Sequence, residues 1–200
     1  MTACAAQIIE PGTTTTTAVE ITTARLVLRP LARGDLSRLV QLGNDFAVAK
    51  NLSRFPYPYK MADAEEWFAL QSTIQAQGEQ LALAVTLKGE LIGGIGLGPV
   101  HTPQHELGYW LGQPYWGQGY ATEASVAVLD YGFDRFGLGV IAAAHFADNH
   151  ASGRVLTKLG FRYTIETNRY SRARGCDVRC LEMALPRGRW AQLRQGDGSH

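Results

Sequence analysis

The sequence predicts one α/β domain, built on a mixed, mostly antiparallel sheet of about six or seven strands with about four flanking helices. Apolar runs at 81–87 and 91–97 flank Lys88-Gly-Glu90, which indicates a hairpin. The linkers joining the second, third and fourth strands are too short for a crossover helix, so these strands are expected to be antiparallel. A helix predicted over 121–136 instead leads from the fourth strand to a buried fifth strand at 140–147, which predicts a parallel pair.

The N-terminal half of the domain begins with a short strand at 25–30, which Pro30 ends. A first helix is predicted after Gly34-Asp35, where leucines recur at helical spacing. Two prolines between 54 and 60 exclude regular structure there, because each removes a donor and restricts the residue before it. The segment 63–66, Asp-Ala-Glu-Glu, resembles a capping box, so Asp63 is expected to open the second helix.

The C-terminal half continues with the long helix, which is apolar nearly all round. Its acidic residues are expected to form a narrow exposed stripe: Glu123, Asp130 and Asp134. Asn149 is expected to cap the next helix, which Gly160 closes. Two strands around 161–170 and 178–185 then complete the sheet.

The chain is expected to divide into three segments. Residues 1–20, with five consecutive threonines, are interpreted as a flexible N-terminal arm, and residues 191–200 as a flexible tail. Residues 21–190 form the single domain, since no internal repeat or linker interrupts them.

Charge and composition exclude several classes of function. The formal net charge is +1, which argues against a dedicated nucleic-acid or membrane binder. Residues 154–194 differ, because ten Lys and Arg side chains stand against three carboxylates, a local net charge of +7. This segment is either a solvated basic face or a surface that attracts a polyanionic ligand or an acidic substrate. No apolar run approaches the ~20 residues of a membrane span, and the few cysteines favour a cytoplasmic location.

The segment 106–123 carries the strongest functional signal. It runs from an alternating strand through Gly117 and Gly119 into a helix, and such a loop directs backbone N–H groups and the helix dipole at an anion. A Walker-type loop is excluded, because no lysine follows Gly119. A dinucleotide loop is disfavoured, because Thr122 stands where its third glycine belongs and the preceding strands are predicted antiparallel. The pyrophosphate of an acyl-coenzyme A is the third alternative.

Two motifs about thirty residues apart support this third alternative. The first is Pro114-Tyr-Trp-Gly-Gln-Gly-Tyr-Ala-Thr-Glu123, and the second is Asn149-x-x-Ser152-x-Arg154 followed by Lys158-Leu-Gly-Phe161. With these motifs, residues 21–190 resemble the GNAT superfamily of N-acyltransferases, in particular its ribosomal-protein-acetyltransferase-like (RimJ/RimL-type) branch. Trp116 departs from the family loop, which usually begins with Gln or Arg, so the backbone amides are left to contact the phosphates.

The resemblance implies a GNAT fold in which the fourth and fifth strands splay apart and the pantetheine arm of acetyl-CoA inserts between them. It implies a bulge at Gly108 that helps the strands to separate. The residues that it assigns to the coenzyme are Trp110, Leu111, Gly112, Trp116, Gly117, Gln118, Gly119, Tyr120, Ala121, Thr122, Asn149, Ser152 and Arg154. An N–H near Leu111 would face the thioester oxygen.

Two residues are candidates for catalysis. Glu106, at the start of the fourth strand, is the carboxylate best placed to remove the amine proton, directly or through water; it can also be an exposed strand-end residue. Many family members protonate the leaving thiolate with a tyrosine, but Leu156 occupies that position here. Ser152 is therefore the candidate acid, and its alternative role is to bond the backbone of a first helical turn.

The acceptor cleft could be lined by aromatic and basic residues, although surface or core packing explains each of them equally well: Tyr57, Tyr59, Trp67, Tyr170 and Arg174. No metal site is expected, because Pro103 interrupts the helix that would align His101 with His105. His145 lies inside an apolar strand and is expected to be packed there.

The sequence therefore predicts an N-acetyltransferase that transfers the acetyl group of acetyl-CoA to a primary amine in a ternary complex. The acceptor is either a protein N-terminal α-amine or a small-molecule amine, and the protein is a monomer or a homodimer. The alternatives are a non-catalytic acyl-CoA-binding module and a nucleic-acid binder that uses the basic segment; no nucleic acid or membrane partner is expected.

Overall fold

The computed structural model describes residues 19–77, 80–99 and 104–197. The strands are β1 (Ile21–Thr22), β2 (Leu26–Arg29), β3 (Leu81–Leu87), β4 (Glu90–Pro99), β5 (His105–Leu111), β6 (Val140–Phe146), β7 (Arg162–Ser171) and β8 (Cys176–Pro186). The helices are α1 (Leu36–Gly43), α2 (Phe46–Ala49), α3 (Met61–Gln77), α4 (Tyr120–Asp134), α5 (His150–Lys158) and α6 (Arg187–Asp197). The predicted arm falls almost wholly outside these residues, and the division into arm, domain and tail stays a prediction.

All the strands join one mixed sheet in the order β1-β2-β3-β4-β5-β6-β8-β7. Neighbouring strands are antiparallel except β5 and β6, which are parallel as the intervening helix α4 requires. The β5–β6 ladder has only two residue pairs, Glu106 with Ala142 and Leu107 with Ala143. The two strands therefore part after Leu107, as the resemblance implied, and a cleft opens between them.

The two faces of the sheet carry separate cores. The larger core joins α4, α5 and α6 to one face, and fully buried Val128, Leu156 and Leu185 are among its members. The smaller core joins α1 and α3 to the other face, where Leu39 and Ala64 are buried. Because successive strand residues point to opposite faces, the side chains of β5 alternate between the face of the larger core and the face of the smaller core.

The strand and helix counts exceed the predicted six or seven strands and four helices. The additional elements in the described residues are β1, α2 and α6. Strand β1 has two residues and α2 has four, so neither is long enough to show a periodic pattern. Helix α6 contains two glycines and few large apolar residues, and it covers most of the segment that was expected to be a flexible tail.

Two local predictions are corrected. Helix α3 begins at Met61, and the Asp63 carboxylate accepts a hydrogen bond of 2.8 Å from the Lys60 N–H, so Asp63 caps from within the first turn. The β4–β5 register runs without a shift past Gly108, so no bulge lies there; in the first half of the sheet the irregularity falls in the β3–β4 ladder, at Val85 and Thr86. The splay follows from the short β5–β6 ladder instead.

Of the acidic residues of α4, Asp134 is exposed as predicted, whereas Glu123 and Asp130 are half-buried, so the predicted exposed stripe is incomplete. Asp130 accepts a hydrogen bond of 2.9 Å from the Trp190 indole N–H of α6, and it also pairs with Arg194. Asp134 lies 3.8 Å from Arg187 of the same helix. These carboxylates therefore serve to dock α6, a long-range role that helical periodicity could not show.

Among the described helices, none is both long and apolar enough to cross a membrane.

Trp190 anchors α6, and its removal tests whether this helix belongs to the folded unit. The side chain is 6% exposed and lies within the larger core. Trp190→Ala is expected to lower the free energy of unfolding by about 3–5 kcal/mol, because a large buried side chain is lost. Chemical denaturation measures this change, and Gln195→Ala, on the exposed face of α6, is the control. An equal effect of both substitutions would contradict the docking.

Candidate active site

The splay between β5 and β6 opens a cleft of about 650 Å³. It is lined by the end of β5, the loop before α4, the first turns of α4 and α5, and the segment 51–55 on the other face of the sheet. The cleft thus passes through the sheet and reaches both faces.

The free edge of β5 supplies backbone groups to the cleft. The Gly112 N–H bonds the Ile92 carbonyl at 2.9 Å, so by strand alternation the N–H and C=O of Trp110 also point towards β4. The backbone of Tyr109 and the Leu111 N–H then point towards the open side. The Leu111 carbonyl is bonded by the Trp116 indole at 2.7 Å. Trp110 and Gly112 thus direct their backbone groups towards β4 and the Leu111 N–H points to the open side, while the predicted contacts of these residues with the coenzyme stay a prediction.

The loop before α4 has the form of an anion site. Gly117 and Gly119 have φ values of 74° and 82°, a conformation that favours glycine. Gly119 is also the N-cap residue of α4, and no side chain caps the helix. Within the described chain, the N–H groups of residues 117–119 have no hydrogen-bond acceptor, and the loop and the first turn line the cleft. These groups and the positive end of the helix dipole suit a pyrophosphate.

Arg25 of the segment before β2 holds this loop. Its guanidinium donates a hydrogen bond of 3.0 Å to the Gln118 carbonyl and one of 2.6 Å to the Glu123 carboxylate of α4. The guanidinium also lies 4.5 Å from the centre of the Tyr120 ring. The side-chain amide of Gln118 donates a hydrogen bond of 3.0 Å to the Pro114 carbonyl. Gln118 is therefore a structural member of the loop rather than one of the residues that line the cleft.

Arg25, with its contacts to Gln118 and Glu123, forms what we call the Arg25 clamp, and the Glu123 carboxylate is its central acceptor. Burial raises its pKa, but hydrogen bonds from the Thr23 hydroxyl, the Arg25 guanidinium and the Arg25 N–H outweigh burial and lower the pKa below its usual range. The carboxylate is thus bound to residues 98 and 100 positions away. The clamp explains why a helix that begins without a side-chain cap keeps its first turn in place.

The first turn of α5 borders the opposite side of the cleft. The Asn149 side chain accepts from the Ser152 N–H at 3.2 Å, which confirms the predicted cap. Arg154 and Lys158 are exposed, line the cleft and lie one turn apart on the same helix face. Neither forms an ion pair within the described chain. Both are free to meet phosphates, and Lys158 was not among the predicted residues.

The hydroxyl of Tyr109 contacts Ser152, the residue that the sequence suggests as the acid. The Tyr109 hydroxyl lies 3.0 Å from the Ser152 hydroxyl, within the cleft and on the face of the larger core. Burial raises the pKa of Tyr109 to about 12, although the bond to Ser152 lowers it. Tyr109 therefore keeps its proton at neutral pH. The sequence analysis missed it, since an aromatic residue in a strand looks like any packing residue.

Glu106 points to the opposite face of β5, where Arg169 of β7 binds it. Two guanidinium nitrogens donate to the two carboxylate oxygens at 2.8 Å each. The same guanidinium also donates to both oxygens of Glu182 in β8, at 3.0 and 2.6 Å. Two carboxylates thus share one cation, and the cluster has a formal charge of −1. Burial disfavours the charged guanidinium, but both carboxylates together raise the Arg169 pKa above its usual range.

The remaining thiol and imidazole groups near the cleft have other surroundings. The buried Cys180 thiol near this cluster has a pKa raised to about 11 by burial, so it stays protonated. His145 is buried as predicted and bonds Tyr163 at 3.1 Å. The described residues contain no cluster of side chains that could hold a metal ion. His101 lies outside them.

Of the residues considered for the acceptor cleft, Trp67 lines it. Tyr59 is buried in the smaller core, and Arg174 pairs with Asp148. Tyr57 and Tyr170 are 47% and 55% exposed, away from the cleft lining. The structure adds Phe55, Gln71 and Trp110, whose side chains also border this part of the cleft.

The Arg25 clamp gives a pH-dependent prediction. Because the folded-state pKa of Glu123 is lowered, its stabilisation is complete above the unfolded value of about 4.5 and is lost as pH falls through the lowered folded value. Glu123→Gln is expected to lower the free energy of unfolding by about 1–2 kcal/mol at pH 7 and by less near pH 3. Urea titrations at both pH values measure this, with the exposed Glu65→Gln as control. A pH-independent difference would contradict the assignment.

Comparisons with known proteins agree with this geometry. Residues 25–162 match the family model described as an acetyltransferase (GNAT) domain. Over 157 residues the chain is 29% identical to Uncharacterized N-acetyltransferase p20 of Bacillus licheniformis, a match that covers 76% of this chain and 88% of p20.

Two solved structures share the fold. One is Mycobacterium smegmatis RimJ in complex with CoA-disulfide, with a TM-score of 0.74, 20% identity, and coverage of 90% of this chain and 94% of that one. The other is RimL, a ribosomal L7/L12 alpha-N-protein acetyltransferase, in complex with coenzyme A, with a TM-score of 0.74, 17% identity, and coverage of 84% and 98%. The family model, the fold and the cleft together lead to one conclusion: this chain belongs to the GNAT acetyltransferase family and is an acetyl-CoA-dependent N-acetyltransferase.

Proposed function

We propose that the chain transfers the acetyl group directly from acetyl-CoA to a primary amine while both substrates occupy the cleft. The observation that carries this proposal is that the two faces of β5 present different groups to the cleft. Tyr109 faces the side of the sheet that holds Ser152 and α5, and Glu106 faces the other side. The cleft connects the two sides, so an amine from one side can reach a thioester bound from the other.

The coenzyme binds along the free edge of β5 and at the N-terminus of α4. The unpaired amides of residues 117–119 and those of the first turn, Tyr120, Ala121 and Thr122, hold the pyrophosphate. Arg154 and Lys158 add charge from α5. The Leu111 N–H, which points to the open side of the strand, stabilises the thioester oxygen as it becomes negative.

The reaction needs a neutral amine. Removing the proton of an amine with a pKa of ~10.4 costs about 4.6 kcal/mol at pH 7, and about 1.4 kcal/mol for a pKa of ~8. The cluster of Glu106, Arg169 and Glu182 attracts the ammonium through its net negative charge. Each Glu106 oxygen retains a lone pair beyond its bond to Arg169, so Glu106 accepts the proton directly or through a water molecule.

The sulfur must gain a proton when its bond to the acetyl carbon breaks. The amine nitrogen forms the new bond to that carbon, and the electron pair of the broken bond stays on sulfur. Ser152 donates its proton to the sulfur and takes one from Tyr109, to which it is already hydrogen-bonded. The attacking nitrogen gives up one proton through Glu106 as the amide forms, and Tyr109 regains its proton from water, so one proton leaves nitrogen and one reaches sulfur. Because the pKa of Tyr109 is about 12, the donor is protonated throughout the neutral range.

The proposed activity is tested with acetyl-CoA and a panel of amines, following release of the free thiol. The panel contains peptides with varied N-termini, because the neighbour RimL is named for a protein α-amine, together with small primary amines. Thiol release that depends on an amine, with acetylated amine found by mass spectrometry, supports the proposal. Saturable binding of coenzyme A without transfer to any amine would overturn it.

Proton delivery is tested by Tyr109→Phe. The substitution keeps the ring and removes the hydroxyl, so kcat is expected to fall about 10²-fold with little change in the KM for acetyl-CoA. Ser152→Ala is expected to have a similar effect, since it interrupts the same chain. Tyr131→Phe, a half-buried tyrosine of α4, is the control. Near-wild-type kcat in Tyr109→Phe would remove this residue from the mechanism.

The role of Glu106 is tested by Glu106→Gln. Turnover per folded protein is expected to fall at least ~10²-fold, because the amide neither attracts nor deprotonates an ammonium. Steady-state kinetics from pH 6 to 10 measures the loss, which should shrink at high pH where the amine is neutral. Glu166→Gln, which interrupts the exposed pair with Arg179, is the control. Unchanged turnover across this range would contradict the assignment.

A further inference from the structure

The acceptor side of the cleft has a floor without side chains. Gly96 of β4 is paired with Gly108 of β5, and strand alternation puts both on the face that carries Glu106 and Trp110. A Cβ at Gly108 would meet no atom within 4 Å, and one at Gly96 would meet only the Leu81 carbonyl at 3.0 Å. Both glycines line the cleft, so the backbone itself is its surface at this point.

The length of this floor is limited at both ends. A Cβ at Gly94 would lie 2.7 Å from the indole nitrogen of Trp110, which therefore covers that position. A Cβ at Gly98 would lie 2.8 Å from the Gln80 side chain, which covers the other end. Residues two apart in a strand are separated by about 6.6 Å. The open floor around Gly96 thus has the length of one planar ring.

The walls of this groove are aromatic. Trp110 and Phe55 meet with ring centres 5.3 Å apart, and both line the cleft. Trp67 of α3 lines it as well, with the Arg54 guanidinium 5.9 Å from its ring centre. A flat backbone floor with aromatic walls favours an apolar, planar group, because such a group contacts both over its whole face.

One polar group in this wall has no partner. Gln71 lies one helical turn after Trp67, lines the same cleft and is 5% exposed. Its Oε1 atom is buried, and none of the described residues donates a hydrogen bond to it. A buried carbonyl oxygen without a donor is unfavourable, and a donor on a molecule bound in the cleft would satisfy it.

We propose that this groove selects an arylalkylamine: a primary amine on a short chain, joined to one aromatic ring that bears a hydrogen-bond donor. The ring lies on Gly96 and Gly108, its donor binds Gln71, and its ammonium reaches Glu106. This inference rests on the proposed N-acetyltransferase function and names its acceptor. An aliphatic polyamine leaves the aromatic walls and Gln71 without partners, and an extended peptide exceeds the length of the floor.

The first test compares two acceptors that differ by one hydroxyl. Tyramine carries the donor and phenethylamine lacks it, whereas both have the same ring and amine. We expect kcat/KM to be about tenfold higher for tyramine in the wild-type protein, because only tyramine gives Gln71 a hydrogen bond. In Gln71→Leu the two values are expected to become equal. A preference for tyramine that survives this substitution overturns the assignment of Gln71.

The second test fills the groove. Gly108→Ala and Gly108→Val add side chains where no protein atom stands in the way, so the fold tolerates them. We expect kcat/KM for tyramine to fall at least ~10-fold in the valine variant and less in the alanine variant, while coenzyme A binding measured by calorimetry is unchanged. Gly139→Ala adds a methyl group at an exposed position and is the control. Unchanged kinetics in Gly108→Val overturns the proposed floor.

The two levels of the proposal fail in different ways. If spermidine or an N-terminal peptide is acetylated with a higher kcat/KM than either arylalkylamine, the groove assignment is wrong and the acetyltransferase function stands. If coenzyme A binds and no amine in the panel is acetylated, the proposed function itself fails. Acetylation of tyramine ahead of phenethylamine, spermidine and the peptides supports both.

Discussion

The arrangement of the cleft depends on the hydrogen bonds that the Arg169 guanidinium forms. Its four hydrogen bonds, two to Glu106 and two to Glu182, join β5, β7 and β8. The backbone ladder between β5 and β6 has only two pairs, so the halves of the sheet share little main-chain bonding. The cluster lies at that junction. It thus holds the paired ends of β5 and β6 together, while the strands separate beyond them into the cleft, and it places a formal charge of −1 at the edge of the cleft.

Charge explains much of the remaining arrangement. Five of the ten basic side chains in the segment 154–194 pair with carboxylates of the described residues: Arg169, Arg174, Arg179, Arg187 and Arg194. Arg154 and Lys158 are left beside the loop that suits phosphates. The unpaired basic side chains are consistent with a solvated face, and the proposed attraction of a polyanionic ligand rests on Arg154 and Lys158 of α5, which line the cleft.

Local signals were sufficient for parts of this site. Gly117 and Gly119 adopt the left-handed conformation that their position before a helix indicated, and Asn149 caps α5 as its side chain predicts. Long-range contacts gave no such signal. The partner of the Tyr109 hydroxyl lies 43 positions away and the partner of Glu106 lies 63 away, so neither spacing corresponds to a strand or helix period. The glycines of β4 gave no such signal either, because the indole that covers Gly94 belongs to Trp110 of the neighbouring strand.

By itself, the sequence determined the family, the order of the main strands and helices, the parallel pair and the coenzyme loop. These features depend on hydrophobic periodicity, glycine conformation and the handedness of a crossover, all of which act over short stretches of chain. Only the tertiary structure decided which hydroxyl contacts Ser152, which side chain pairs with Glu106 and which shape the cleft has beside these residues. Each of these depends on side chains from distant strands meeting in one space, and that meeting is set by sheet order and register.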